Sequence, residues 1–135
     1  MNGKIFLDTN IVVYSYSNNE AIKQGIARGL ITDCDSYVST QVLQELTNTV
    51  TKKLGFDYAA AIDAINECTQ NNKLHVNTHT TILKACDVAQ QYRFSFYDSL
   101  IIAAALECNC TTLYSEDLHN SQIIDGKLKI VNPFV

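Results

Sequence analysis

Short apolar segments alternate along the chain with longer segments whose apolar residues recur at every third or fourth position. The short segments predict buried strands, at residues 4–7, 37–39, 74–76, 111–114 and 129–131. The longer segments predict helices, because this spacing places the apolar side chains on one side of a helix. We place these helices at residues 10–16, 21–31, 40–54, 78–92 and 98–108, with one more that Asp57 caps.

The alternation of strands and helices predicts a three-layer α/β domain with a small, mostly parallel, five-stranded sheet flanked by helices. Segment 98–108 is apolar almost all round, which predicts a helix buried between layers. A chain of 135 residues has the size of one domain, so residues 1–135 are expected to form a single one. Such sheets bind ligands beyond the carboxyl ends of their strands, which makes the residues at those ends the first candidates for function.

Composition and charge narrow the classes of function. The chain is 47% hydrophobic and 18% charged, which excludes wholesale disorder. Ten basic and fourteen acidic residues give a net charge of −4, which argues against a protein that coats duplex DNA by charge alone. The first residues do not fit a signal peptide, and no apolar run is long enough for a membrane span. These two observations, together with the odd number of cysteines, predict a cytoplasmic protein with free thiols and no membrane contact.

Four acidic residues lie at or just past the predicted strand ends, or on the helices that follow. Asp8 comes directly after the first strand, and Asp117 follows the fourth strand with two residues between. Glu45 borders the apolar face of its helix, and Asp98 opens the most apolar helix of the chain. Each acid alone also has a structural explanation, since aspartates cap helices and a glutamate can be a solvated helix residue.

Taken together, the four acids favour a metal site. Grouped, partly buried carboxylates repel one another and are costly unless a cation neutralises them. Hard divalent cations such as Mg²⁺ take carboxylate oxygens, waters and substrate phosphates as ligands. Such a cation activates a water and stabilises the charge that develops during phosphodiester hydrolysis. The sequence therefore predicts a metal site suited to phosphodiester hydrolysis at one edge of the sheet.

Five sequence blocks resemble a known family. They are FLDTN at 6–10, STQVLQEL at 39–46, FYDSLIIAAA at 96–105, LYSEDL at 113–118 and LKIVNPF at 128–134. In this order, and over nearly the whole chain, they are similar to the PIN domain. The short length most resembles the VapC-type toxins of bacterial toxin–antitoxin pairs. The resemblance implies a small parallel sheet with flanking helices, and ribonuclease activity that depends on Mg²⁺ or Mn²⁺.

The resemblance also implies which residues form the site. The four acids of the family match Asp8, Glu45, Asp98 and Asp117. We expect Asp8 and Asp98 to bind the metal directly, and the other two acids to bind it through water or to orient the attacking hydroxide. The supporting polar residues of the family match Thr9, Asn10 and Ser115.

The implied partners are an RNA substrate, a second copy of the chain in a homodimer, and a small antitoxin. A C-terminal segment of the antitoxin would lie in the acidic groove, with an arginine reaching the carboxylates. Two alternatives stay open: a PIN nuclease of RNA processing without an antitoxin, and a non-catalytic PIN-like binding module whose acids only hold structure. A phosphatase that uses a nucleophilic aspartate would need a second Asp at the position of Asn10.

Overall fold

The structure, a computed structural model, describes residues 3–135, in which six strands and six helices are found. The strands are β1 (Ile5–Leu7), β2 (Ser36–Ser39), β3 (Lys73–His75), β4 (Thr112–Tyr114), β5 (Ile123–Ile124) and β6 (Leu128–Val131). The helices are α1 (Thr9–Tyr14), α2 (Ala21–Asp33), α3 (Thr40–Lys52), α4 (Tyr58–Asn71), α5 (His79–Tyr92) and α6 (Phe96–Glu107). Every predicted element is present, and the predicted ends lie within two residues of the observed ones.

The strands form one sheet in the order β3-β2-β1-β4-β6-β5. All neighbours pair in parallel except β5 and β6, which are antiparallel. The prediction of a mostly parallel sheet flanked by helices is confirmed, whereas the predicted number of five strands is wrong. The parallel order places the carboxyl ends of β1, β2 and β4 at the same edge of the sheet.

The additional strand, β5, was not predicted because its two residues are too few to reveal a period. It reaches β6 through a tight turn at Asp125 and Gly126, whose φ angles are +53° and +65°. The amide of Lys127 donates to the carbonyl of Ile124 across this turn at 3.0 Å. Asp-Gly is frequent in hairpin turns because both positions need a positive φ, so the sequence did contain a signal for the hairpin.

Helix α6 is buried along residues 99–105, which confirms the prediction of a helix between layers. It begins at Phe96 and not at Asp98, so the predicted start was two residues late. Ser95 caps the helix, because its hydroxyl accepts a hydrogen bond from the amide of Asp98 at 3.2 Å. Asp98 is therefore a residue of the first turn rather than the cap.

The two central strands set the geometry of the carboxyl edge. β1 and β4 pair with Leu7 opposite Tyr114, and the amide of Asp8 donates to the carbonyl of Tyr114 at 3.0 Å. Phe6, Leu7 and Leu113 are fully buried. Full burial of such a side chain contributes about 1.5–3 kcal/mol, so the core fixes the ends of both strands. The residues that follow β1 and β4 consequently emerge side by side.

Two expectations from composition can be compared with the structure. All five cysteines are free thiols, as predicted. Burial raises the pKa of Cys68 to about 11, so this thiol stays protonated at neutral pH. Among residues 3–135, no helix has both the length and the apolar character that crossing a bilayer requires.

Candidate active site

Asp8 lies where β1 ends and α1 begins, and its side chain is buried. Its Oδ1 accepts the amide of Thr9 at 2.7 Å, which caps α1, and its Oδ2 accepts the hydroxyl of Ser115 at 2.7 Å. Burial raises the pKa of Asp8 from 3.8 to about 6, although the two hydrogen bonds lower it. The negative charges of Glu45 and Asp117 raise this pKa further. Asp8 is therefore both a helix cap and a carboxylate whose ionisation is costly.

Glu45 is half-buried on α3, and two neighbours hold its carboxylate. The hydroxyl of Thr9 donates to one oxygen at 2.5 Å, and Nε2 of Gln41 lies 3.3 Å from the other. The same amide group of Gln41 donates to the carbonyl of Tyr97 at 3.0 Å. Gln41 thus connects the first turn of α3 to the first turn of α6, a role that nothing in the sequence singled out.

Asp117 is exposed on the loop that follows β4. Nδ2 of Asn10 donates to its carboxylate at 3.0 Å, and the hydroxyl of Ser115 accepts its backbone amide at 3.2 Å. Because the hydroxyl of Ser115 also donates to Asp8, one buried side chain joins both acids. Oδ1 of Asn10 accepts the amide of Glu116 at 3.3 Å, which adds a second attachment for the loop.

A cleft of about 700 Å³ opens at the carboxyl edge of the sheet. The four predicted acids, with two of the three predicted supporting residues, are among its lining: Asp8, Glu45, Asp98, Asp117, Thr9 and Asn10. The third supporting residue, Ser115, is buried and bonded to the lining aspartates. The structure therefore brings all seven predicted residues to one place.

The chemistry of the cleft fits a hard divalent cation. The polar groups of the lining are mainly carboxylates, amides and hydroxyls, whose oxygens are the ligands that such cations prefer. Oε1 of Gln41 is buried and has no hydrogen-bond partner among residues 3–135, which leaves one acceptor open in this lining. Among residues 3–135, no three His, Cys, Asp or Glu side chains are grouped closely enough to bind one metal ion together. The acids therefore share the cleft without meeting at a single point.

Comparison with known proteins gives the family. The sequence pattern of the PIN domain matches residues 5–123, a range that includes all four acids. The chain belongs to the PIN domain family. No sequence among the curated proteins matches it.

Solved structures with the same fold include VapC20 of Mycobacterium tuberculosis, a sarcin-ricin loop cleaving toxin. The TM-score is 0.69 at 19% identity, over 84% of this PIN domain chain and 89% of that one. A toxin–antitoxin complex from Klebsiella pneumoniae gives a TM-score of 0.69 at 16% identity, over 96% and 97% of the two chains. DNA-bound VapBC from Salmonella typhimurium gives a TM-score of 0.65 at 18% identity, over 96% of this chain and 97% of that one.

Sequence reasoning placed Glu45 of this PIN domain on α3 but did not predict that its polar neighbours line the same cleft. Six side chains at helical spacing line the cleft, and we call them the groove face of α3: Gln41, Gln44, Glu45, Asn48, Thr49 and Lys53. The apolar residues of α3 predicted its core side, but a polar side looks the same in sequence whether it meets solvent or a cleft. Tyr97, which is exposed, lines the cleft next to Asp98.

Glu116, the acid beside Asp117, does not line the cleft of the PIN domain. It accepts the hydroxyl of Tyr14 at 2.6 Å and forms an ion pair with Lys23. The hydrogen bond from Lys23 lowers the pKa of Glu116 most, and the hydrogen bond from Tyr14 lowers it further. Lys23 therefore neutralises Glu116, whereas none of the four acids of the cleft forms an ion pair within residues 3–135.

Proposed function

We propose that this PIN domain is a divalent-metal-dependent endoribonuclease that acts as the toxin of a toxin–antitoxin pair. The observation that supports this most is the convergence of the four acids on one cleft, where burial and like charges raise the pKa of Asp8 to about 6. A carboxylate in such surroundings is costly until a cation neutralises it. The family membership and the donor atoms of the cleft point to the same chemistry.

The four acids would hold Mg²⁺ or Mn²⁺. On this proposal Asp8 and Asp98 are direct ligands, and Glu45 and Asp117 act through bound waters or orient the attacking hydroxide. A metal in this position supplies a water of lowered pKa and positive charge for the phosphate oxygens. The residues would cut RNA by hydrolysis of a phosphodiester bond.

Three polar side chains would orient the acids. Thr9, Asn10 and Ser115 each donate one hydrogen bond to a different carboxylate. These bonds fix the direction of each carboxylate without neutralising its charge, so the acids stay anionic ligands. Their role is positioning, since hydroxyl and amide groups bonded to a ligand restrict its rotation and support its basicity.

The toxin role draws on the solved structures of the same fold, which include VapC20 and two toxin–antitoxin assemblies. The partner would be a small antitoxin that covers the acidic cleft, with an arginine pairing with carboxylates where the metal would bind. We further propose that the protein acts in the cytoplasm as a homodimer. A PIN nuclease of RNA processing without an antitoxin is the second candidate, because its site would be the same.

Cleavage of RNA by the purified protein tests the enzymatic part. We expect cleavage with Mg²⁺ or Mn²⁺ and none with EDTA. Asp8→Asn should lose about a hundredfold or more in rate, because removal of even a group that only supports a metal ligand costs about 10–100-fold. The matched control is Asp63→Asn, which removes an exposed charge on α4 and should cut at the wild-type rate. If the folded wild-type protein neither cuts RNA nor binds Mn²⁺ in calorimetry, the nuclease proposal is wrong and the non-catalytic binding module is the remaining alternative.

Expression in a bacterium tests the toxin part. Wild type should arrest growth, Asp8→Asn should not, and co-expression of an adjacently encoded antitoxin should restore growth. Cleavage in vitro without growth arrest would favour the nuclease of RNA processing instead.

A further inference from the structure

The groove face of α3 extends well beyond the four acids. Gln41 lies in the first turn of the helix, and Lys53 follows its last residue as the C-cap. At 1.5 Å per residue, the distance along the axis from Gln41 to Lys53 is roughly 18 Å, and roughly 12 Å of it lies past Glu45. A single metal and one phosphate would occupy only the part of the cleft near Glu45, so the remainder of this face is left without an assigned ligand.

The chemistry of this remainder suits a nucleic acid backbone. Asn48 and Thr49 offer uncharged hydrogen-bonding groups, and Lys53 is the one cation among the described residues that line the cleft. Lys53 is exposed and forms no ion pair within residues 3–135, so its charge is available to a phosphate. Its neighbour Lys52 is equally exposed and unpaired in that range, yet it does not line the cleft.

The opposite end of the cleft holds an aromatic ring. Tyr97 is 66% exposed although it adjoins the buried part of α6. Its ring packs edge to face on Phe96, with centroids 5.3 Å apart, and its carbonyl is bound by Gln41. An exposed ring supported in this way can stack on a base, since every base presents a flat face.

We propose that the groove face of α3 is the track along which RNA binds, and that two residues of this chain beyond the acids hold it: Lys53 binds a backbone phosphate and Tyr97 stacks on an unpaired base. The scissile phosphate then lies between them, at the acids. This inference rests on the proposed function and adds two residues that bind its substrate. A duplex does not fit, because its bases are already stacked on each other and cannot reach the ring.

The phosphate contact is tested by paired lysine variants. In the Asp8→Asn background with Mg²⁺, fluorescence anisotropy measures the affinity for a short, random-sequence, single-stranded RNA without cleavage. Lys53→Gln should weaken binding about three- to tenfold and reduce the slope of log affinity against log salt by about 0.7, the value for one phosphate of a single strand. Lys52→Gln should change neither quantity. Equal losses in the two variants, or none in either, would overturn the assignment.

The base contact is tested by paired tyrosine variants. Tyr97→Leu should weaken binding of the single strand about fivefold or more, the lower end for one stacked base. Tyr58→Leu, which removes a 72% exposed ring from α4 outside the cleft, should leave it unchanged. The same RNA annealed to its complement should bind about tenfold more weakly than the single strand. Equal binding of duplex and single strand would contradict the proposal.

The two proposals fail separately in these experiments. Cleavage by wild type with unchanged RNA affinity in the Lys53 and Tyr97 variants would overturn the RNA track and leave the nuclease. Loss of affinity in both variants, with no cleavage by wild type, would overturn the nuclease and leave an RNA-binding groove.

Discussion

Asp8→Asn should stabilise the metal-free protein even as it removes a residue of the proposed site. The pKa of Asp8 is raised by burial from 3.8 to about 6. Each pKa unit corresponds to 1.36 kcal/mol, so the ionised carboxylate costs the fold about 3 kcal/mol relative to the unfolded chain. Because Asp8 is buried, solvent screening reduces this figure little.

The sign follows from the proton balance. The folded state holds the proton of Asp8 more tightly than the unfolded state does, so ionisation favours unfolding. The contribution of this group to stability is highest below its unfolded pKa of 3.8, falls as the pH rises to about 6, and stays constant above that. Asparagine has no charge at any of these pH values and caps a helix as well as aspartate does. Its single side-chain oxygen keeps the hydrogen bond from Thr9 and loses the one from Ser115. This loss is about 1 kcal/mol, the value of a neutral hydrogen bond, because the effect of the charge is already contained in the pKa.

Urea denaturation in EDTA measures the free energy of unfolding of both proteins across this range. At about pH 7.5 we expect Asp8→Asn to be more stable than wild type by about 2 kcal/mol, and near pH 4 we expect no gain. Asp63→Asn, an exposed change on α4, serves as the control and should show no pH-dependent difference. A difference that does not vary with pH, or a variant less stable than wild type above pH 6, would refute the reasoning.

Two further changes test other parts of the structure. Thr9→Val removes the hydroxyl that donates to Glu45, so it should lower the free energy of unfolding, measured by urea denaturation, by about 1.5–3 kcal/mol. It should also slow RNA cleavage. The control is Thr51→Val, which should leave cleavage unchanged because the hydroxyl of Thr51 donates to backbone carbonyls of its own helix. Arg93→Gly should raise the free energy of unfolding by about 1 kcal/mol without affecting cleavage. Arg93 ends α5 at a φ of +63°, a conformation that is unfavourable for a residue with a Cβ but not for glycine. A less stable Arg93→Gly protein would mean that the side chain contributes contacts that outweigh this strain.

The order of strands and helices could be predicted because buried strands and amphipathic helices have different apolar periods. The four acids could be located for a second reason: parallel strands end at one edge, so Asp8 and Asp117 had to emerge near each other once β1 and β4 were neighbours. The start of α6 was misplaced because Ser95 and Asp98 both have the side chains of helix caps, and only the observed hydrogen bond decides between them.

The remaining features depend on packing between distant segments. Gln41 bonds Tyr97 across 56 positions of sequence, a contact that no local period encodes. Lys52 and Lys53 are consecutive residues of the same type, yet only Lys53 lines the cleft. The ion pair of Glu116 could not be predicted either, because its partner Lys23 lies on α2, far away in the sequence.

The four acids are not held equally firmly. Asp8, Glu45 and Asp98 belong to or directly adjoin regular elements packed on the core, whereas Asp117 is exposed on a loop attached through Asn10 and Ser115. Its neighbours on the loop, Ser115 and Leu118, are both buried. The backbone of this loop is therefore held to the core, and the exposed carboxylate of Asp117 is restrained mainly by the hydrogen bond from Asn10. On the proposed function, Asp117 is the acid that would adjust its direction to a bound substrate, while the other three acids keep their places.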